Sequence, residues 1–377
     1  MNMKKIVGLS MVASAFLYAN DVYKLDEVVT VGTKTQSSVS DLPMQVAVIG
    51  AEDIQNSGAS NVGEILNSEG SIYLKTSGSN GATMSIRGMA HGDTLYLIDG
   101  RRVTGEFSKT YELDRIPASM IERIEIVKGS SSLLYGSDAM GGVINIITKK
   151  PKESFGGDVT LTHGKNKNGA DLFVHGSKDK TSYRLYSSYL KRDAFTKKQN
   201  TDVKVMQSGV EKSPSTLNTA GGAAVFAPLK ANLSDSYLVN QDYQDELELK
   251  SIGGGITHLV NDYFKIDFDM SYLKEDKNAE YISNMYETAY VQSGNKIKAK
   301  YIPAEQFDDN KRITLGSGLT WNPNDSLELK YNISYSKYDK DRKVYTALWE
   351  ELGYASKEAS LSSVNKSTIK QIGRAHV

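Results

Sequence analysis

The stretch Phe264-Lys265-Ile266-Asp267-Phe268-Asp269-Met270-Ser271-Tyr272 alternates apolar and polar side chains at every step. A strand turns successive side chains to opposite faces, so this stretch has one apolar wall and one charged wall. Leu327, Leu329, Tyr331, Ile333 and Tyr335, interleaved with Glu328, Lys330, Asn332 and Ser334, repeat the pattern. The segments are joined asymmetrically. Val260-Asn261-Asp262 and Asn322-Pro323-Asn324-Asp325 read as tight reversals, whereas 193–245 and 276–311 read as long polar loops carrying tyrosines. Short turns at one end and long loops at the other are the signature of an outer-membrane β-barrel. A soluble antiparallel sandwich also alternates, but segments of about nine to eleven residues suit a tilted membrane strand better.

Composition agrees with a barrel. The 377 residues are 39% hydrophobic, carry 45 Lys+Arg against 45 Asp+Glu, and contain no cysteine. Balanced charge gives no reason to expect a nucleic-acid partner, and the lack of cysteine excludes disulfides, thiolate metal sites and a cysteine nucleophile. There are 22 tyrosines against nine Phe and two Trp, a bias toward rings with a wet end that suit an interface or a barrel wall. No internal run is long enough for a spanning helix. At the N-terminus, Lys4 and Lys5 precede the apolar run 6–16, and Leu17-Tyr18-Ala19 supplies a cleavage site. This reads as an export signal over 1–19.

Before Pro151 the grammar differs. Helical signals at 51–56 and 62–67 and the apolar strand 95–98 mark a compact mixed unit. It carries Ser85-Ile86-Arg87-Gly88-Met89, then Leu95-Tyr96-Leu97-Ile98-Asp99-Gly100-Arg101-Arg102, then Ile116-Pro117 and Ile121-Glu122-Arg123-Ile124-Glu125-Ile126-Val127-Lys128-Gly129. It ends in Leu134-Tyr135-Gly136-Ser137-Asp138-Ala139-Met140-Gly141-Gly142-Val143-Ile144-Asn145-Ile146-Ile147-Thr148. Glycines at 129, 136, 141 and 142 permit sharp turns and close backbone approach before the apolar strand. Arg87, Arg101 and Arg123 lie near Glu122, Glu125 and Asp99 in sequence, and an Arg fork pairs bidentately with carboxylates.

This run resembles the plug domain of TonB-dependent outer-membrane receptors, and most of all the ferric catecholate siderophore and colicin receptor branch. The resemblance covers residues 20–151 in order and spacing. It implies an α+β plug followed by the first strands of an antiparallel transmembrane barrel, one of about 22 strands in the whole family. The expected organisation is a signal peptide 1–19, a coupling segment and linker 20–40, the plug 41–151, partial barrel 152–371 and a terminal six residues of another origin. Asp26, Glu27, Val28, Val29, Thr30 and Val31 resemble the TonB box, a β-prone segment that adds as a strand to a partner's sheet edge. The implied partners are therefore TonB with its inner-membrane energising complex, an iron-chelate ligand and outer-membrane lipid; bacteriocins and phage stay open. Ligand contacts fall on apical plug loops at Ser79, Asn80, His91, Arg102, Phe107 and Lys109, with loop tyrosines 281, 286 and 290 able to stack on a catecholate. Arg87, Gly88, Asp99, Gly100, Arg123, Gly129, Tyr135, Gly136, Gly141 and Gly142 are the expected structural and coupling positions.

No catalytic residue, cofactor or metal site is expected. The five histidines (91, 163, 175, 258 and 376) form no zinc pair. Asp242, Asp245, Glu246 and Glu248 lack the spacing of a calcium loop, and Gly253-Gly254-Gly255 reads as a smooth inner wall or a bulge. The implied activity is energised uptake of a ferric siderophore, with haem and cobalamin as alternatives in the same family. A passive porin, a surface adhesin and a soluble periplasmic binding module are the readings from other classes. After Pro151 some 225 residues supply on the order of eight to ten strands, too few to close the family's barrel. Ile372-Gly373-Arg374-Ala375-His376-Val377 translates a common sequencing-adapter sequence, ATC GGA AGA GCA CAC GTC, so these six residues are expected to be an artefact of read-through.

Overall fold

The computed structural model describes residues 28–29, 37–38, 44–67, 69–70, 72–77, 81–86, 88–89, 93–103, 113–131, 135–136, 139–151, 155–207, 210–214, 234–283, 287–292, 295–324, 327–351 and 354–376. The expected export signal lies outside them.

The N-terminal half begins with β1 (Val28–Val29) and β2 (Ser37–Ser38), which pair antiparallel. Then come β3 (Val46–Ile49), the helices α1 (Ala51–Ser57) and α2 (Val62–Asn67), the hairpin β4 (Ile72–Ser77) and β5 (Gly81–Ile86), and the strands β6 (Thr94–Ile98), β7 (Arg101–Val103), β8 (Ile121–Lys128) and β9 (Gly142–Thr148). Five of them form one sheet in the order β3-β8-β9-β6-β7, with β6 and β9 parallel and the other pairs antiparallel. β9 is buried along its whole length. Its near-unbroken apolar run, Val143-Ile144-Asn145-Ile146-Ile147, therefore reads as a central strand covered on both faces. The helices are too short to stand alone and are held by packing and caps. Asn61 Oδ1 accepts the Glu64 backbone N–H at 2.9 Å while Glu64 Oε2 accepts that of Ser60 at 2.9 Å, a reciprocal arrangement close to a capping box. Ile65 and Leu66 then pack with Ile86, Leu113, Ile124 and Ile144 in a dry core.

The C-terminal half is an eight-stranded antiparallel wall in the order β10 (Phe155–His163), β11 (Lys167–Lys178), β12 (Thr181–Arg192), β17 (Glu246–Asn261), β18 (Phe264–Ser283), β21 (Ile302–Asn324), β22 (Leu327–Thr346) and β23 (Leu361–His376). Its two edge strands, β10 and β23, are not paired with each other, so the described wall is an open part of a barrel. Between β12 and β17 the chain forms β13 (Phe195–Asp202), β14 (Lys204–Gln207), β15 (Val210–Lys212) and β16 (Ser236–Gln244), and between β18 and β21 it forms β19 (Glu287–Gln292) and β20 (Asn295–Lys300). β13 pairs with β16, and the other four make a sheet in the order β15-β14-β20-β19.

Two expectations change here. The wall strands reach 20 residues in β18 and β22 and 23 in β21, well past the nine to eleven of a membrane crossing. Residues 276–283 and 302–311, which read as loop, continue the ladder, and 193–245 carries four strands. The alternation is lost to the eye there because the outward face turns polar, yet backbone pairing needs no apolar face. The triple glycine is also resolved. β17 pairs without interruption through Gly253, Gly254 and Gly255, so there is no bulge at that point. A Cβ at 253 would meet the Tyr186 ring at 2.7 Å and one at 255 would run into Asp269, so bare backbone makes room for inward side chains.

Candidate functional site at the junction of plug and wall

Alternation sets the chemistry of each face. On β18 the even positions Ile266, Phe268 and Met270 are exposed on the outside, while Asp267 and Asp269 point inward and meet the compact domain. The arm that reaches them is the β6–β7 hairpin. Ile98 pairs with Arg101, leaving Asp99-Gly100 as a two-residue turn with positive φ at both positions, 49° and 75°. That is the type I′ geometry favoured by an Asp-Gly pair. Asp99 is locked by Thr148, whose backbone N–H and hydroxyl donate to its carboxylate at 3.0 and 2.6 Å, and the Gly100 N–H donates to Asn145 Oδ1 at 3.0 Å.

Arg101 is thereby presented to the wall. Its guanidinium donates to Asp269 at 2.6 Å and also to Asp267. Arg184, on β12, donates to Asp269 at 2.5 Å and lies 3.6 Å from Asp99. Two cations and three carboxylates thus form one chain of pairs from the plug turn to two wall strands. Burial works against the Arg101 charge, but Asp269 and Asp267 outweigh it and raise its pKa above the ordinary value. A second contact is drier. Arg115, at the end of a single 3-10 turn Leu113–Arg115, makes two 2.7 Å hydrogen bonds to Glu275 with both side chains 1% exposed. It also donates to the Tyr338 hydroxyl at 3.1 Å and lies 5.2 Å above that ring, while Asn310 donates to Glu275 at 2.6 Å. Lys167 of β11 reaches Glu64 of α2 at 2.7 Å. Between these contacts lies a cavity of about 190 Å³ lined by Arg101, Arg115, Lys149, Arg184, Arg312 and Asp269 among others.

The residues singled out in the sequence are distributed unevenly. Ser79, Asn80, His91, Phe107, Lys109 and Arg87 lie outside the described residues, as do Asp26, Glu27, Thr30 and Val31 of the proposed coupling segment. Val28 and Val29 form β1, and Val29 is fully buried. Arg102 is exposed on β7, one position past the residue that reaches the wall. Arg123 pairs within its own domain, donating to Glu125 at 2.8 Å, rather than with the wall. Gly88, Gly100, Gly129, Gly136 and Gly142 have positive φ, whereas Gly141 is a close approach: a Cβ there would sit 3.1 Å from Met89 Cβ. Among the described residues no cluster of His, Cys, Asp and Glu could hold a metal ion. Sequence reading missed Arg115, Arg184 and Glu275. The available signal for the wall residues was the charged inward face of alternating strands, and Arg115 carried none.

Residues 38–143 match the model of the TonB-dependent receptor plug domain. The chain is 34% identical over 203 residues to the iron-regulated outer membrane virulence protein of Vibrio cholerae, an alignment covering 50% of this chain and 31% of that protein. It is 32% identical over 152 residues to the vitamin B12 transporter BtuB of Vibrio vulnificus, covering 40% of this chain and 25% of that one. Against the ferric enterobactin receptor PirA of Pseudomonas aeruginosa it is 32% identical over 200 residues, covering 47% and 27%. The solved structure of the ferric enterobactin receptor PfeA of Pseudomonas aeruginosa shares the fold, with a TM-score of 0.58 at 18% identity, over 93% of this chain and 47% of that chain. The chain spans less than half the length of each of these proteins. Residues 38–143 are thus a plug domain of the TonB-dependent receptor type, pinned by Arg101 and Arg115 to the inner face of an antiparallel wall.

Proposed function

We propose that the chain serves TonB-dependent active uptake of a ferric siderophore, of catecholate type, across the bacterial outer membrane. The observation that carries this reading is the plug docked on the inner wall through a small number of charged contacts. A passive pore has no use for a folded domain in its lumen, and an adhesin has no use for one held by ion pairs that can exchange for water. Ligand would bind outside with high affinity, at the plug apex and the long hairpins β13–β16 and β19–β20. TonB would pair with the segment Asp26–Val31 by strand addition and draw on the plug until the contacts to Asp267, Asp269 and Glu275 rearrange. No chemistry is done on the cargo.

The cargo class rests on the relatives, since a plug fold hosts many ligands. An iron-regulated outer membrane protein and a ferric enterobactin receptor favour an iron chelate. The vitamin B12 transporter supports a second reading, cobalamin. Uptake of a radiolabelled ferric tris-catecholate and of labelled cobalamin by a deletion strain, with and without the gene restored, separates the two. Restoration of catecholate uptake alone is expected, and restoration of cobalamin uptake alone would replace the first reading by the second.

A further inference from the structure

The cavity between plug and wall follows from the register of the wall strands. Facing the plug, Ser271 on β18 lies opposite Thr314 on β21, and Thr314 lies opposite Ser336 on β22. These three short side chains line the cavity as its floor. The inward row nearer the short turns runs from Arg184 through Gly255 and Asp269 to Gly316, and there Asp269 holds both Arg101 and Arg184. The inward row on the other side of the floor holds Ser251, Leu273 and Arg312. Those two rows are four residues apart along a strand, about 13 Å. Small residues between them leave a hollow, which the plug roofs with Ile98, Val103, Ile116 and Met120.

Three properties of the hollow suit a ligand. Its volume of about 190 Å³ exceeds the roughly 150 Å³ of an apolar cavity that takes up benzene, which leaves room for a small charged group beside a ring. Its surface is cationic: Arg102 joins Arg101, Arg115, Lys149, Arg184 and Arg312, whereas the carboxylates there are those of Asp99 and Asp269. Asp267, Glu275 and Asp158 meet Arg101, Arg115 and Lys149 from outside the lining and offset most of that excess, so the field suits one negative charge better than two. The third property is a donor. Ser251 is 7% exposed, and its buried Oγ makes no hydrogen bond within the protein. Buried hydroxyls are ordinarily satisfied; this one lines the cavity, where its O–H can donate to a ligand oxygen.

We propose that this cavity is a binding site for a small aromatic monocarboxylate of benzoate size. The ring packs over the hydroxyl floor and beneath the apolar plug side chains, and the carboxylate accepts from the Ser251 hydroxyl within the field of the surrounding guanidinium groups. Plug and wall each supply part of the site. An occupant therefore holds the two together and opposes withdrawal of the plug. The site rests neither on the cargo nor on energy coupling, since binding to the purified receptor needs neither.

The test is titration calorimetry of the receptor purified in detergent, with benzoate, benzamide and inorganic phosphate, together with hydrogen–deuterium exchange to locate the bound molecule. Benzoate should bind about tenfold or more tightly than benzamide, which has the ring without the charge, or phosphate, which has charge without the ring. It should also slow exchange at Arg101–Val103 and 116–120 while β3 is unchanged. Ser251→Ala should weaken benzoate about tenfold, the loss of one charge-assisted hydrogen bond. Thr314→Phe, which fills the floor, should abolish binding, and unchanged protection of β8 and β9 shows that the plug of each variant is still folded. A receptor that binds no benzoate has a cavity for water only, and the proposal is overturned. Equal affinity for benzoate and benzamide, or benzoate affinity unchanged in either folded variant, overturns it as well.

Discussion

Removing Arg115 tests how the plug is held. In Arg115→Ala, Glu275, 1% exposed in the parent, loses both 2.7 Å bonds and keeps the Asn310 amide, and the Tyr338 hydroxyl loses the Arg115 N–H. Deleting one member of a buried pair leaves an uncompensated charge, at a cost of about 3–5 kcal/mol. If that cost falls on the docked plug, amides of Leu113–Ile121 should exchange about 150 to 5,000 times faster, with β11 and β12 as the internal reference. Arg115→Met combined with Glu275→Leu replaces the pair by apolar groups and should recover most of the loss. Hydrogen–deuterium exchange on the receptor in detergent gives the rates for the parent, Arg115→Ala, Arg115→Met, Glu275→Leu and the double variant. Acceleration below about fivefold in Arg115→Ala, or a double variant as fast as the product of the two single effects, would refute the reasoning.

Asp269→Asn weakens the contacts of both Arg101 and Arg184 at once; at 18–27% exposure the expected loss is about 1–2 kcal/mol, seen as faster exchange at Asp99–Val103 with β3 and β8 unchanged. Gly142 has φ 148°, and a Cβ would lie 2.5 Å from Val127 O, so Gly142→Ala should destabilise the plug by about 3 kcal/mol and lower its exchange protection throughout the sheet. Burial, and then the Glu125 carboxylate, push the Tyr135 phenol up to about 12. Because an unfolded phenol ionises near pH 10 while the folded one stays neutral, the Tyr135 contribution is complete below pH 10 and lost as pH rises to 12. Plug protection should fall over that window, and less steeply in Tyr135→Phe.

Much of the fold was legible because one physical rule writes it. A strand between lipid and lumen must alternate, and 264–272 and 327–335 do so without exception. The apolar run 143–147 marked a strand by its near-unbroken apolar character, and its central place came from its pairing in the sheet. Legibility stopped where the constraint stopped. Beyond Lys274 neither face need be apolar, so a ladder that continues to Ser283 looked like loop. Pairing partners were less legible still. Arg123 does pair with a carboxylate two residues away, but Arg101 passes over nearby Asp99 and binds residues 166 and 168 positions distant. Arg115 to Glu275 spans 160 positions, and nothing local distinguishes such an arginine from a solvated one.

The central claim is that an energised pull on the N-terminal segment moves a docked plug and admits a bound iron chelate. The most direct measurement is paired: equilibrium binding and time-dependent uptake of a radiolabelled ferric tris-catecholate by cells carrying the receptor or its Asp26–Val31 deletion. The account predicts that the deletion binds ligand as well as the parent and takes up none. Uptake that persists in the deletion would contradict it, and would return the passive pore to first place.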